Sequence, residues 1–226
     1  MRHETFPDAL TESRAVSVRN APVSFYRTFG KRWLDLVLAL LILPVVAPVI
    51  GAIWLWTLRD GGPGFFGHER VGLHGNTFKC WKIRSMVADA ETRLALHLAG
   101  DSAAAAEWGL HHKLARDPRV TAMGRFIRRT SLDELPQIWN VICGEMSLVG
   151  PRPVVPEELD RYRGNLASYL ALRPGITGLW QVYGRNEVSY EARVGMDVAY
   201  GRNIGMLTDL KLILMTGGSV FNATGR

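Results

Sequence analysis

The chain has little cysteine: two residues, Cys80 and Cys143, in 226. That is too few for a disulfide framework. No short apolar region with a small-residue cleavage site opens the sequence, so a reducing compartment is expected for the soluble part. Internal repeats and low-complexity tracts are missing, and 21% charged against 47% apolar residues excludes wholesale disorder or a fibre. At roughly 100 to 200 residues per domain, the length leaves no room for several catalytic modules. The most informative absence is local. From Leu36 to Leu58 there are 23 consecutive residues without a charge.

A straight helix of that length reaches about 35 Å, enough to cross a bilayer. It shows no polar stripe of the kind a buried core helix would carry, and it is read as a membrane element. Pro44 and Pro48 sit near its middle. Each removes a backbone donor and crowds the preceding turn, and at a spacing close to one helical turn their bends point in similar directions and add. Basic residues flank both ends, Arg27, Lys31 and Arg32 before and Arg59, Arg70, Lys79 and Lys82 after. A single span usually concentrates them on one side. The favoured reading is a re-entrant helix over 31–59 with both ends in the cytoplasm, and the alternative is a kinked span carrying the same cytoplasmic domain. Residues 1–30, without periodicity, read as a flexible leader that ends in an amphipathic approach, Phe25 to Phe29. The turn-rich Asp60-Gly61-Gly62-Pro63-Gly64 separates the helix from a domain over 60–226.

Within that domain, short strand-like pieces over Phe65 to Lys82 are punctuated by glycines. Thr77 to Ile83 reads as a strand with the basic trio Lys79, Lys82 and Arg84 in and just after it. Residues 87–115 look helical. Thr130 to Asn140 opens another helix, with Leu135, Ile138, Trp139 and Ile142 spaced for one buried face. Tyr200 to Met215 reads as the last helix, with Met206, Leu210 and Ile213 on one side, a pattern that can pack on the core or lie along a bilayer. The expected fold class is α+β, mainly helical: an N-terminal re-entrant membrane helix plus a small cytoplasmic catalytic domain with amphipathic membrane-surface helices.

Ser131-x-x-Glu134 fits a capping box, and Pro136 allows a variant in which Asp133 is the cap. Either way two acids, Asp133 and Glu134, stand at a helix start. Their company is basic: Arg125, Arg128 and Arg129 precede them, and Gly150-Pro151-Arg152-Pro153 and Gly184-Arg185 place further arginines on turns. The net charge of +6 implies an anionic partner. Arginine grips phosphate bidentately, and two acids among arginines suggest a divalent ion and a diphosphate substrate, with a carboxylate free to attack phosphorus. A nucleic-acid binder would instead show a basic stripe interleaved with aromatics and no acid pair. A purely structural membrane adaptor would need none of this arrangement.

Taken in order, these residues resemble the bacterial sugar transferases, the monotopic polyprenyl-phosphate phosphoglycosyl transferases. The resemblance rests on Lys31-Arg32-x-x-Asp35, on Phe78-Lys79-Cys80-Trp81-Lys82-Ile83-Arg84-Ser85-Met86, on Asp117-Pro118-Arg119-Val120-Thr121 and on Ser131 to Gln137. It continues through Gly144 to Pro153 and Arg173 to Arg185, and covers about residues 31–215. It implies transfer of a sugar 1-phosphate, galactose or glucose, from a UDP-sugar to undecaprenyl phosphate, with release of UMP through a phosphosugar-enzyme ester. This would be the first membrane step of exopolysaccharide assembly, at the cytoplasmic face of the bacterial inner membrane. By resemblance Asp133 is the nucleophile, and Glu134 is its partner at a Mg²⁺ ion that both acids hold. Arg128, Arg152 and Arg185 contact phosphate, and Lys82, Arg84 and Gln137 are further candidate substrate contacts. UDP-sugar, undecaprenyl phosphate and membrane lipid are the expected partners, nucleic acid is not, and a homodimer is left open. Ala47-Pro48 stands where the family often has Ser-Pro, and Gly144-Glu145 where Gly-Asp is commoner. No spacing reads galactose against glucose.

Overall fold

The computed structural model describes residues 25–111, 114–184 and 188–221. Residues 1–24 of the expected leader, and Arg185, lie outside the described residues. A π-helical turn, Tyr26–Gly30, runs into helix α1, Lys31–Thr57, which holds Pro44 and Pro48 in its interior. Together they are long and apolar enough to cross a membrane. One side of α1 stays uncovered, with Trp33, Leu41 and Val45 about 70% exposed. The other side is part of the domain: Ala39 is fully buried, and Leu38, Leu43 and Ile50 pack on the same core as Val141, Met146, Val149 and Leu212.

Polar atoms tie both ends of α1 to the rest of the chain. Near its start, Lys31 Nζ and the Tyr26 hydroxyl donate to Asp209 Oδ2 at 2.8 and 2.6 Å, and the Tyr200 hydroxyl donates to Asp209 Oδ1 at 2.7 Å. Arg32 donates to the carbonyls of Val141 and Ile142, and the buried Asp35 accepts the amide of Leu148. At the other end, Arg84 donates to the Thr57 carbonyl, and the Trp54 ring stacks on Phe65 at 6.1 Å.

Strands β1 (Phe65–Val71) and β2 (Thr77–Ile83) form an antiparallel hairpin in which His68 faces Cys80 and Arg70 faces Phe78. The expected helix over 87–115 is two, α2 (Ala90–Gly100) and α3 (Ser102–His111). Asp101 divides them because its carboxylate accepts the Ala103 and Ala104 amides and so caps α3. Helix α4 (Ala122–Arg129) is capped by the Thr121 hydroxyl. A 3₁₀ turn, Leu132–Glu134, leads to α5 (Gln137–Cys143).

Two short strands, β3 (Ser147–Val149) and β4 (Gly175–Thr177), pair in parallel. Their approach needs glycine, since a Cβ on Gly150 would lie 2.4 Å from the Arg173 carbonyl oxygen. Between them, the 3₁₀ segment Pro156–Asn165 and α6 (Leu166–Leu170) build a second core of Val154, Tyr162, Tyr169, Val194 and Val198. Helices α7 (Leu179–Tyr183), α8 (Tyr190–Arg202) and α9 (Met206–Phe221) complete the domain.

Three local expectations are corrected. The last helix is not continuous from Tyr200 to Met215. Asn203 ends α8 by donating its backbone and side-chain N–H groups to the Ala199 carbonyl, and α9 restarts after Gly205 with Asp209 and Leu212, not Met206, on the buried face. On α5, Trp139 is 57% exposed, while Gln137, Ile138, Asn140 and Val141 are buried. The inward face is partly polar because Asn140 must reach the hairpin. The Ser131 capping box does not form: Ser131 sits at φ +57° and makes no side-chain cap, and Glu134 turns to Lys82 instead.

Asp209 is 1% exposed and accepts from three donors. Removing one member of such a buried group leaves the others desolvated and unpaired, which costs about 3–5 kcal/mol. Asp209→Leu should therefore lower the chemical unfolding free energy in detergent by about that amount, whereas Arg93→Met, which removes an exposed pair with Asp89, should change it by less than about 1 kcal/mol.

Candidate active site

The acids of the 3₁₀ turn Leu132–Glu134 are delivered by the turn before it. Ser131, a non-glycine residue in the left-handed region, reverses the chain after α4, a conformation that costs about 1–3 kcal/mol and persists where surrounding contacts impose it. One of those contacts is the seat of α4. Its Gly124 lies so close to Ser85, at the exit of β2, that a Cβ there would be 1.9 Å from the Ser85 carbonyl oxygen. That seat brings Arg128 Nε to 2.9 Å from Ser85 Oγ. Glu134 Oε1 accepts from Lys82 Nζ at 2.5 Å, which joins the turn to β2.

Asp133 is 8% exposed. Burial, and then the adjacent Glu134 charge, push its carboxyl up to about 6, while the Lys82 and Arg128 charges pull the other way. It is thus mostly ionised at neutral pH, yet more basic than an ordinary carboxylate.

A shallow cleft, open to solvent, adjoins the turn; Glu134 is in its wall, and Asp133 is not. Its lining includes four of the sequence-derived candidates, Lys82, Glu134, Gln137 and Arg152. Gln137 is 3% exposed at the first turn of α5. Arg152 follows β3 on the Gly150–Pro153 turn and lies over the Trp180 ring, 5.5 Å from its centre. Arg193 of α8 lies over the same ring at 4.7 Å.

Arg84 has a different place. Its guanidinium donates to the carbonyls of Pro63, Met86 and Thr57, and it is 9% exposed, so it clamps the end of α1 to the hairpin rather than presenting a fork to the cleft. Arg185 lies outside the described residues. Sequence reasoning passed over two polar members of the cleft wall, Arg70 and Gln181. Strand alternation puts Arg70 on the face of His68, but only the register with β2 reveals that this is also the face of Cys80 and Lys82.

The described residues contain no cluster of three or more His, Cys, Asp or Glu side chains placed to hold a metal. Mg²⁺ is commonly held by one or two carboxylates, with water and substrate phosphate supplying the remaining oxygens, and Asp133 and Glu134 are the carboxylates of this turn.

A family model described as bacterial sugar transferase matches residues 26–223. The chain belongs to the bacterial sugar transferase family. It is 49% identical over 197 residues to undecaprenyl-phosphate galactose phosphotransferase of Salmonella typhimurium, covering 87% of this chain and 41% of that one. The UDP-galactose-lipid carrier transferase of Erwinia amylovora is 50% identical over 197 residues, with the same coverage of 87% and 41%. The exopolysaccharide production protein ExoY of Sinorhizobium fredii is 46% identical over 188 residues, 83% of each chain. The chain thus spans about two fifths of the first two relatives and most of the third.

The raised carboxyl of Asp133 has a thermodynamic signature. Between the ordinary carboxylate value of 3.8 and about 6 the folded state binds more protons than the unfolded state, so stability falls as pH rises through that window. Asp133→Asn, which mimics the protonated acid, should be more stable than the wild type by about 1–3 kcal/mol at pH 7.5 with chelator present. The difference should vanish near pH 4. Denaturant midpoints at the two pH values decide, and an equal difference at both would mean that the carboxyl is not perturbed.

Proposed function

We propose that this protein transfers a sugar 1-phosphate from a UDP-sugar to undecaprenyl phosphate and releases UMP. The observation that carries the reading is a buried, basic Asp133 beside Glu134, Lys82 and Arg128. The Asp133 carboxylate attacks the phosphorus that bears the sugar; an O–P bond forms to Asp133 and the P–O bond to UMP breaks. A phosphate oxygen of undecaprenyl phosphate then attacks the same phosphorus, and Asp133 leaves as a carboxylate. Splitting the exchange this way replaces one difficult displacement with two easier ones.

Lys82, Arg128 and Arg152 hold and offset phosphate charge as it redistributes, and Arg185 is proposed for the same work. Held by Asp133 and Glu134, Mg²⁺ would supply further counter-charge to the diphosphate. The names of the relatives support this reading, since they concern transfer of galactose or galactose phosphate to undecaprenyl phosphate or a lipid carrier. Which sugar this chain takes is part of the test.

The proposed setting is the cytoplasmic face of the inner membrane, with α1 re-entrant. Support comes from the two ends of α1. Lys31, Arg32 and Asp35 at one end and Thr57 at the other bond to a single body of residues 84–209. A helix that crossed the bilayer would carry its ends to opposite sides, whereas both ends of α1 bond to residues of the same domain, which favours the re-entrant reading. The prolines supply the means to bend.

A panel of UDP-sugars with undecaprenyl phosphate and Mg²⁺, monitored for UMP, tests the reaction; no UMP from any of them would reject it. Asp133→Asn should abolish both turnover and the trapped phosphosugar adduct while membrane binding persists. An adduct mapped to another residue would displace Asp133 from its role. For topology, single cysteines at Arg27 and Arg59, in a background lacking Cys80 and Cys143, should both react with an impermeant reagent from the cytoplasmic side. Opposite-side labelling would restore a spanning helix.

A further inference from the structure

Strand β1 sets His68 and Arg70 two residues apart on one face. Pairing with β2 adds Cys80 and Lys82 to that face, and Arg70, Cys80 and Lys82 reach the cleft wall together with Arg152. The Arg70 guanidinium lies 3.1 Å from His68 Nδ1. Arginine has only donors, so the facing ring nitrogen supplies the lone pair and His68 is neutral there. Burial and the charges of Arg70 and Lys82 hold His68 below its usual value, which agrees with that assignment.

Arg70 itself is half-buried. Burial, and then the charge of Arg152, work against its charged form. Among the described residues the ion pairs of this region are Lys82 with Glu134 and Lys31 with Asp209, and Arg70 is in neither. Glu158, the carboxylate that acts on Arg70 from the neighbouring segment, accepts the Val155 amide at 3.3 Å. Two guanidiniums that work against each other at one cleft, one of them desolvated and without a paired carboxylate, carry an electrostatic cost that a bound anion would offset.

We propose that Arg70 is a further substrate-binding residue, gripping with Arg152 the phosphate groups of the nucleotide-sugar, and that His68 is the positioning residue that orients its fork. This rests on the phosphoglycosyl transfer reading and adds to it a contact from the hairpin. The hydrogen bond to one edge of the guanidinium fixes its plane and leaves the other donors for phosphate oxygens.

The test uses the full chain in lipid nanodiscs with Mg²⁺. UDP and uridine are titrated into the wild type, Arg70→Leu, Arg70→Lys and His68→Phe, and UMP release is followed in parallel. Arg70→Leu should weaken UDP binding by roughly tenfold to a hundredfold and raise KM for the UDP-sugar. Arg70→Lys, which keeps the charge but not the fork, should recover part of the loss, and His68→Phe should fall between it and the wild type. Uridine, which lacks phosphate, should bind all four alike. If the wild type releases UMP and binds UDP, but Arg70→Lys and Arg70→Leu bind UDP as it does, the inference is overturned and the transfer reading stands. A loss shared equally by uridine and UDP would make Arg70 structural and also overturn it. Should Arg70→Leu fail to fold, Arg70→Lys decides alone. A wild type that neither binds UDP nor releases UMP would sink the transfer reading itself.

Discussion

Asn140 is fully buried, and its side-chain amide is spent on three groups. Its oxygen accepts the Trp81 amide at 3.1 Å, and its nitrogen donates to the Lys79 carbonyl at 2.8 Å and to Glu145 at 2.6 Å. Two of those partners are backbone groups of β2, so one side chain of α5 continues the hairpin's hydrogen bonding where a third strand would otherwise stand. Lys82 is one residue beyond Trp81, and the acid turn directly precedes α5. The distance between the cation and Glu134 is therefore set by a rigid neutral amide, not by their attraction. The pair is partly buried, so its geometry matters more than that of a surface pair, and the scaffold holds it.

The same economy governs the charged groups around the acids. Asp133 is desolvated next to a second carboxylate, Arg70 is desolvated next to Arg152, and neither arrangement favours the empty protein. In each case two like charges are held close together in a partly desolvated place. The Lys82–Glu134 bond joins the acid turn to the basic hairpin.

Much of this was legible in the chain because charge and periodicity are local properties. The 23-residue uncharged run marked α1, and the acids flanked by arginines marked the candidate site. What stayed hidden depended on register or on three-dimensional competition. The spacing of Trp139 suits a buried face, yet α5 turns Asn140 inward because two backbone groups of β2 need partners. Arg84 carries the same charge as Lys82 two residues earlier, but it meets carbonyls at the end of α1 that no pattern within residues 77–86 could announce. Ser131 and Glu134 had the spacing of a capping box, and Lys82 outcompeted the backbone for the glutamate.

The anchors of α1 are separated by long stretches of chain: Asp35 waits for Leu148, 113 residues later, and Lys31 for Asp209, 178 residues later. At a synthesis rate of about 5–20 residues per second, the completed helix waits roughly eight to thirty seconds before Asp209 has been made. Until residues 148 and 209 have been made, Asp35 and Lys31 have no partners, so the contacts that fix the start of α1 against the domain are among the last to form.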